Sequence, residues 1–147
     1  MSIVLPNDYG YVLLAASSTF IVNIMHGFLT SAARRKAGVK YPNSYASAEQ
    51  AEKDPRAFTF NCAQRAHNNF TENLTPFLGA LLISGLKYPV FAASLGGVWS
   101  VARTLFAFGY TSKGPDGRIV GAGLGTLTNL TLVGTAAYVA LGFALNW

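Results

Sequence analysis

Arg65, Asn69, Glu72 and Asn73 fall at i, i+4, i+7 and i+8 within a largely apolar stretch. That spacing puts all four on one face of a helix. A guanidinium, two amides and a carboxylate on one face can hold a charged ligand through paired hydrogen bonds. Ionisable groups inside apolar spans are costly, and they face a bundle interior or a polar cavity. Arg34, Arg103 and Arg118 lie near the ends of other apolar runs, and Tyr110 follows Arg103 by seven residues. Asn23, Thr30 and Arg34 fall at i, i+7 and i+11, again one face, with His26 close to it. Several arginines against one in-span carboxylate leave positive charge uncompensated. That excess points to an anionic ligand, whose carboxylates the planar arginine fork suits. The alternative is that Arg65 and Glu72 pair with each other, or with Arg103, as internal staples.

The elements that must position these groups are four apolar runs, at 11–33, 60–86, 90–110 and 120–147, the last without a charged residue. They predict an all-α integral membrane protein, a four-transmembrane-helix bundle with spans at about 11–35, 60–87, 90–111 and 118–145. Four spans use roughly 80 residues, so the chain of 147 residues is read as one domain, 1–147. Only 12% of residues are charged and 51% are hydrophobic, which rejects a disordered chain and a multidomain soluble enzyme. The net charge of +5 is better explained by membrane topology than by a nucleic-acid partner. Cys62 is the one cysteine and there are two histidines. An intrachain disulfide is therefore excluded and no metal site is expected.

Charge also sets orientation. Arg34, Arg35 and Lys36 follow the first run rather than precede it, so that run is a retained span and not a cleaved signal. Residues 34–59 hold six basic residues against Glu49, Glu52 and Asp54, and the third loop holds Lys113 and Arg118. Asp8 and Lys87 lie on the other side. The positive-inside rule places the first and third loops in the cytoplasm and both termini in the lumen. Arg34, the Arg65 to Glu72 stretch, Arg103, Tyr110 and Arg118 then share the cytoplasmic half, and the other half is hydrocarbon and glycine. In the first loop, Ser47 and Gln50 have capping-box spacing and predict one or two helical turns; the rest reads as a solvated connector. Thr71, Thr75 and Pro76 predict a locally weakened second helix. The glycines at 121, 123 and 125 imitate a dinucleotide loop, but no strand precedes them, so helix packing accounts for them better. Gly96, Gly97, Gly134 and Gly142 read the same way. Cys62 reads as a buried small apolar residue and His26 as a satisfied interhelical hydrogen bond.

Residues 60–69, FNCAQRAHNN, followed by Glu72 and Pro76-Phe77, resemble the second helix of the microsomal glutathione transferases, the MAPEG proteins. The resemblance is closest to the type-3 branch. Residues 9–14 (YGYVLL), residues 38–42 (GVKYP), and Arg103 with Gly109-Tyr110 and Gly114-Pro115 agree with it. The resemblance implies a homotrimer with glutathione as co-substrate, bound between neighbouring subunits near the cytosolic face. It implies glutathione contacts from Arg34, Arg65, Asn69, Glu72, Arg103 and Tyr110, with His67 reaching in from the adjoining subunit. Arg118 takes the place of the arginine that stabilises the thiolate, with a hydrogen bond from Tyr110. The implied activity is glutathione transfer to a lipophilic electrophile, reduction of a lipid hydroperoxide, or both. Substrates and membrane lipids would arrive between the first and fourth spans, in the endoplasmic reticulum membrane or alternatively the outer mitochondrial membrane. Position 106 is Phe where many members have Tyr, and position 73 is Asn where the leukotriene synthase branch has Tyr. The competing reading is a non-catalytic lipid-binding scaffold of the same fold. A transporter or channel would need polar groups in both halves, and the lumenal half offers none.

Overall fold

The computed structural model describes residues 4–145, so the last two residues of the fourth predicted run, Trp147 included, lie outside the described residues. Helix α1 is Tyr9–Ala37, α2 is Ala48–Lys53, α3 is Pro55–Gly85 and α4 is Pro89–Lys113. A short 3-10 turn, Gly114–Arg118, leads into α5, Ile119–Leu145. There is no strand among the described residues. Pro55 and Pro89 open their helices, where a missing N–H costs nothing. Gly38 closes α1 in the left-handed region at φ 66°, and its N–H donates to the Arg35 carbonyl. Ser47 caps α2 by accepting the Gln50 backbone N–H at 3.1 Å. The Gln50 side chain does not complete the box; it donates to the Ala37 carbonyl at 3.4 Å and so ties α2 to the end of α1. Helix α3 runs unbroken through Pro76, although the ring leaves the Glu72 carbonyl without its helical donor.

The long helices run up and down. Arg34 lies by Phe60 and Gly109 by Gly117 at one end. At the other, Tyr9 donates to the Leu82 carbonyl and Ser84 to the Leu132 carbonyl. Helices α3 and α4 touch each other and both outer helices, whereas α1 and α5 do not touch. The core centres on Phe77 and Trp99, stacked with centroids 3.8 Å apart, with Phe70, Leu81 and Leu132 around them. Gly96 is needed there: a Cβ would lie 2.8 Å from the Ala15 Cβ, so α1 and α4 can approach only over bare backbone. Gly97, Gly123 and Gly134 instead face open space, so no other helix of this chain packs on them as the helix-packing reading expects.

Two helical stretches, Tyr9–Ala37 and Pro89–Leu145, are long and apolar enough to cross a membrane. The second comprises α4, the 3-10 turn and α5. Helix α3 is not among them, because its asparagines together with Arg65 and Glu72 keep its mean hydropathy low. The stretch between α1 and α3 is docked rather than merely solvated. Val39 and Ala46 are buried. The Asn61 amide holds Ala46 in both directions, accepting its N–H at 2.8 Å and donating to its carbonyl at 3.1 Å.

Candidate functional site

Helix α3 carries polar groups on two sides, and the structure separates them. On the side facing α4 and α5, Asn69 meets Arg103. The Arg103 guanidinium donates through Nη2 to both the backbone carbonyl and the side-chain oxygen of Asn69. Asn73 donates to that same carbonyl at 2.8 Å, so the two asparagines and the arginine form one connected group. Arg103 is 4% exposed and its Nε has no hydrogen-bond partner. Its guanidinium lies 4.8 Å from the Phe106 ring centroid and 5.4 Å from that of Trp99, so aromatic faces cushion the charge without neutralising it.

Arg103 opens onto a cavity of about 360 Å³ that Asn69, Asn73, Phe106, Arg118 and Thr126 also line. Arg118 comes from the 3-10 turn, and Gly109, Gly117 and Gly121 set where that turn sits. A Cβ on Gly117 would stand 2.0 Å from the Gly109 carbonyl oxygen, and one on Gly121 would stand 2.4 Å from the Phe106 nitrogen. Helix α4 and the start of α5 thus meet backbone to backbone, and Arg118 is carried over the Tyr110 ring at 5.1 Å. The ion pairs among the described residues are Lys53–Glu49, Arg56–Asp54 and Arg65–Glu72. Neither Arg103 nor Arg118 has a carboxylate partner, so the cavity faces two guanidinium groups and no acid.

Arg65 and Glu72 pair at 2.9 Å, both about half exposed, as the internal-staple alternative expects. Arg65 and Tyr110 line a second cavity of about 620 Å³ between α2, α3 and the 3-10 turn, with Cys62 in its wall. Tyr110, packed edge-on against Phe106 at 5.7 Å, sits in the partition between the two cavities. Arg34 and His67 lie on the other side of α3. Arg34 is held between the Tyr41 and Phe60 rings at 4.4 and 4.6 Å and donates to the Asn43 carbonyl at 2.7 Å. His67 stacks on His26 at 5.6 Å and contacts Asn23 at 3.4 Å. His26 is buried against Phe70 with its Nε2 unpartnered, so it is not the satisfied hydrogen bond that the sequence suggested.

The profile of the MAPEG family matches residues 12–138. The chain belongs to the MAPEG family. It is also similar to an uncharacterized protein of Synechocystis sp., 39% identical over 75 residues, which is half of this chain. The aligned stretch spans about half, 54%, of that relative's length. In this MAPEG chain the structure brings together Asn69, Arg103 and Arg118, links them through Tyr110 to Arg65 and Glu72, and keeps Arg34 and His67 apart. Asn73 and Thr126 complete the first cavity. Asn73 was legible as part of the polar face of α3, whereas nothing in the spacing of α5 marks Thr126. Chemically, two unneutralised guanidiniums beside amide groups could hold an anion. Among the described residues no group of acidic, histidine or cysteine side chains is placed to hold a metal ion.

Proposed function

We propose that this protein is a membrane-embedded glutathione transferase, also acting as a glutathione-dependent lipid hydroperoxide peroxidase, of the type-3 branch of its family. In this reading all four long helices span the bilayer and three copies assemble. The Arg103 cavity faces the cytosol at the endoplasmic reticulum membrane. The observation that carries the reading is the pair of unneutralised arginines, Arg103 buried and Arg118 at the rim, over one cavity. Glutathione has two carboxylates and one ammonium, hence net negative charge. Asn69 and Arg103 would hold a carboxylate, with Arg65, Glu72 and Tyr110 extending the contact surface. Arg34 and His67 face away from this cavity within one chain, so they reach glutathione only from a neighbouring subunit. The lipophilic substrate would arrive at an inter-subunit seam, since α1 and α5 of one chain do not meet.

A free thiol titrates near pH 8.5, and lowering that by about two units takes roughly 2.7 kcal/mol. A guanidinium a few ångströms from the sulfur in a partly dry site supplies a term of that size. Arg118 is assigned that role, with Tyr110 beside it. The thiolate then attacks an electrophilic carbon and displaces its leaving group, or attacks the terminal oxygen of a hydroperoxide so that the O–O bond breaks; the alkoxide takes a proton to leave as the alcohol, and a second glutathione converts the sulfenic acid to disulfide with release of water. Ultraviolet difference absorbance on adding glutathione to detergent-purified protein tests this. A thiolate band is expected in the native protein and not in Arg118→Ala. A variant with the full band and full turnover refutes the assignment. The second reading, a lipid-presenting scaffold without turnover, draws on Phe106, which puts a ring without a hydroxyl into the cavity wall. It predicts no thiolate band at any glutathione concentration.

A further inference from the structure

The end of the bundle away from the arginines holds a feature that the glutathione chemistry does not use. Among the described residues its charges are Asp8 and Lys87. Lys87 sits in the α3–α4 turn, exposed and without a carboxylate partner. Its ammonium lies 5.1 Å from the Tyr138 ring centroid and 5.9 Å from that of Tyr88, and the two rings stack at 6.5 Å. Directly beside them runs a groove of about 630 Å³ between α4 and α5, walled by Phe91, Leu130, Thr131, Gly134 and Thr135. That volume is in the range of small-molecule pockets, about 300–1,000 Å³.

Two details make the groove apolar and open. The Thr131 and Thr135 hydroxyls donate to the carbonyls of Leu127 and Thr131 at 2.9 and 2.8 Å, so their polar atoms are satisfied within the helix. Leu130, Gly134 and Tyr138 stand at i, i+4 and i+8 on one stripe of α5. Gly134 lacks a side chain where nothing lies within 4 Å of a Cβ, which leaves a trough between Leu130 and Tyr138. Tyr138 lies roughly 29 Å along α5 from Ile119. That matches a hydrocarbon thickness of about 30 Å, and it puts Lys87 and both tyrosines at headgroup depth.

We infer that the α4–α5 groove is a binding site for an anionic glycerophospholipid, its phosphate at Lys87 and one acyl chain lying over Gly134. The inference rests on the membrane placement proposed above and not on the glutathione chemistry. A lone cation over an apolar trough matches one anionic head on one hydrocarbon tail, and neither half alone selects such a ligand. Tyrosine rings at this level are the usual interfacial anchors.

The test is native mass spectrometry of full-length protein in detergent, titrated with dioleoyl phosphatidylglycerol. Lys87→Gln removes the charge, Gly134→Leu fills the trough, and Gly97→Leu adds the same side chain at an open glycine elsewhere. Lys87→Gln is expected to bind the lipid about fivefold more weakly and Gly134→Leu at least as much, while Gly97→Leu binds as the native protein does. Equal binding by native protein, Lys87→Gln and Gly134→Leu overturns the inference. So does equal weakening in all three variants, and so does a Gly134→Leu protein whose subunit number changes while its lipid affinity does not. Inorganic phosphate displacing the lipid at equal concentration would reassign the site to a soluble anion and overturn it as well. Glutathione binding is measured on the same samples; its absence speaks against the proposed function and leaves the lipid result intact. Recovery of the protein without detergent speaks against the membrane placement itself.

Discussion

Replacing Arg103 by methionine separates a guanidinium kept for a ligand from one kept for the fold. The side chain is 4% exposed, donates twice to Asn69, leaves its Nε unpartnered, and has no counter-charge. Two hydrogen bonds to a charged donor contribute about 1.5–3 kcal/mol each. Removing a charge from a dry site recovers a desolvation penalty of several kcal/mol. The two nearly cancel, and methionine fills most of the vacated volume beside Trp99 and Phe106. The unliganded Arg103→Met protein is therefore expected to melt within about 4 °C of the native one. Truncating one partner of a buried charge pair costs about 2–5 kcal/mol of binding, so glutathione affinity should fall at least about 30-fold. Thermal unfolding in detergent and isothermal titration with glutathione read the two quantities on one sample. A variant that loses more than about 8 °C while binding glutathione as well as the native protein makes Arg103 a structural staple and sinks the argument.

Gly117→Ala drives a Cβ to 2.0 Å from the Gly109 carbonyl oxygen. It should destabilise by about 3 kcal/mol or more, whereas Gly97→Ala, at an open position, should be neutral or gain up to about 1 kcal/mol. Denaturation midpoints of the two variants check this. The Arg56 side chain hydrogen-bonds the Asp54 carboxylate and holds its pKa below the ordinary value. A carboxylate depressed in the folded state stabilises above its unfolded pKa of about 3.9, and that contribution fades as pH falls through the folded value. Thermal midpoints measured from about pH 6 down to about pH 2 should fall less steeply in Asp54→Ala than in the native protein.

How much of this was legible beforehand depends on geometry within helices versus between them. Apolar runs located the long helices, and the 3.6-residue period correctly put Arg65, Asn69, Glu72 and Asn73 close together on α3. The period fixes angles around one axis; it says nothing about how one helix is rotated against the next. Hence the stripe of Asn23, Thr30 and Arg34 on α1 could not be told from a wall of the same cavity. It faces the opposite side of α3, through His67 and Phe60. Whether Glu72 closes on Arg65 or on Arg103 was open for the same reason, and Asn69 rather than Glu72 meets Arg103. Glycine spacing was similarly mute. Gly121 and Gly123 are two residues apart on α5, and one abuts Phe106 while the other meets nothing. The docked stretch before α3 was missed because its anchor, Asn61, is a single amide within an otherwise helical pattern.

The backbone-to-backbone seam at Gly109, Gly117 and Gly121 ties the rim of the arginine cavity to something no side chain can adjust. A neighbour with a side chain could absorb a substitution by changing rotamer; two facing peptide groups cannot. The position of Arg118 over Tyr110 is thereby inherited from main-chain geometry. The side chains of Asn73, Phe106 and Thr126, which also line that cavity, can vary in chemistry without moving that backbone seam. Under the proposed function, diversification of substrate preference on this scaffold should therefore concentrate in those three positions while the glycines stay fixed.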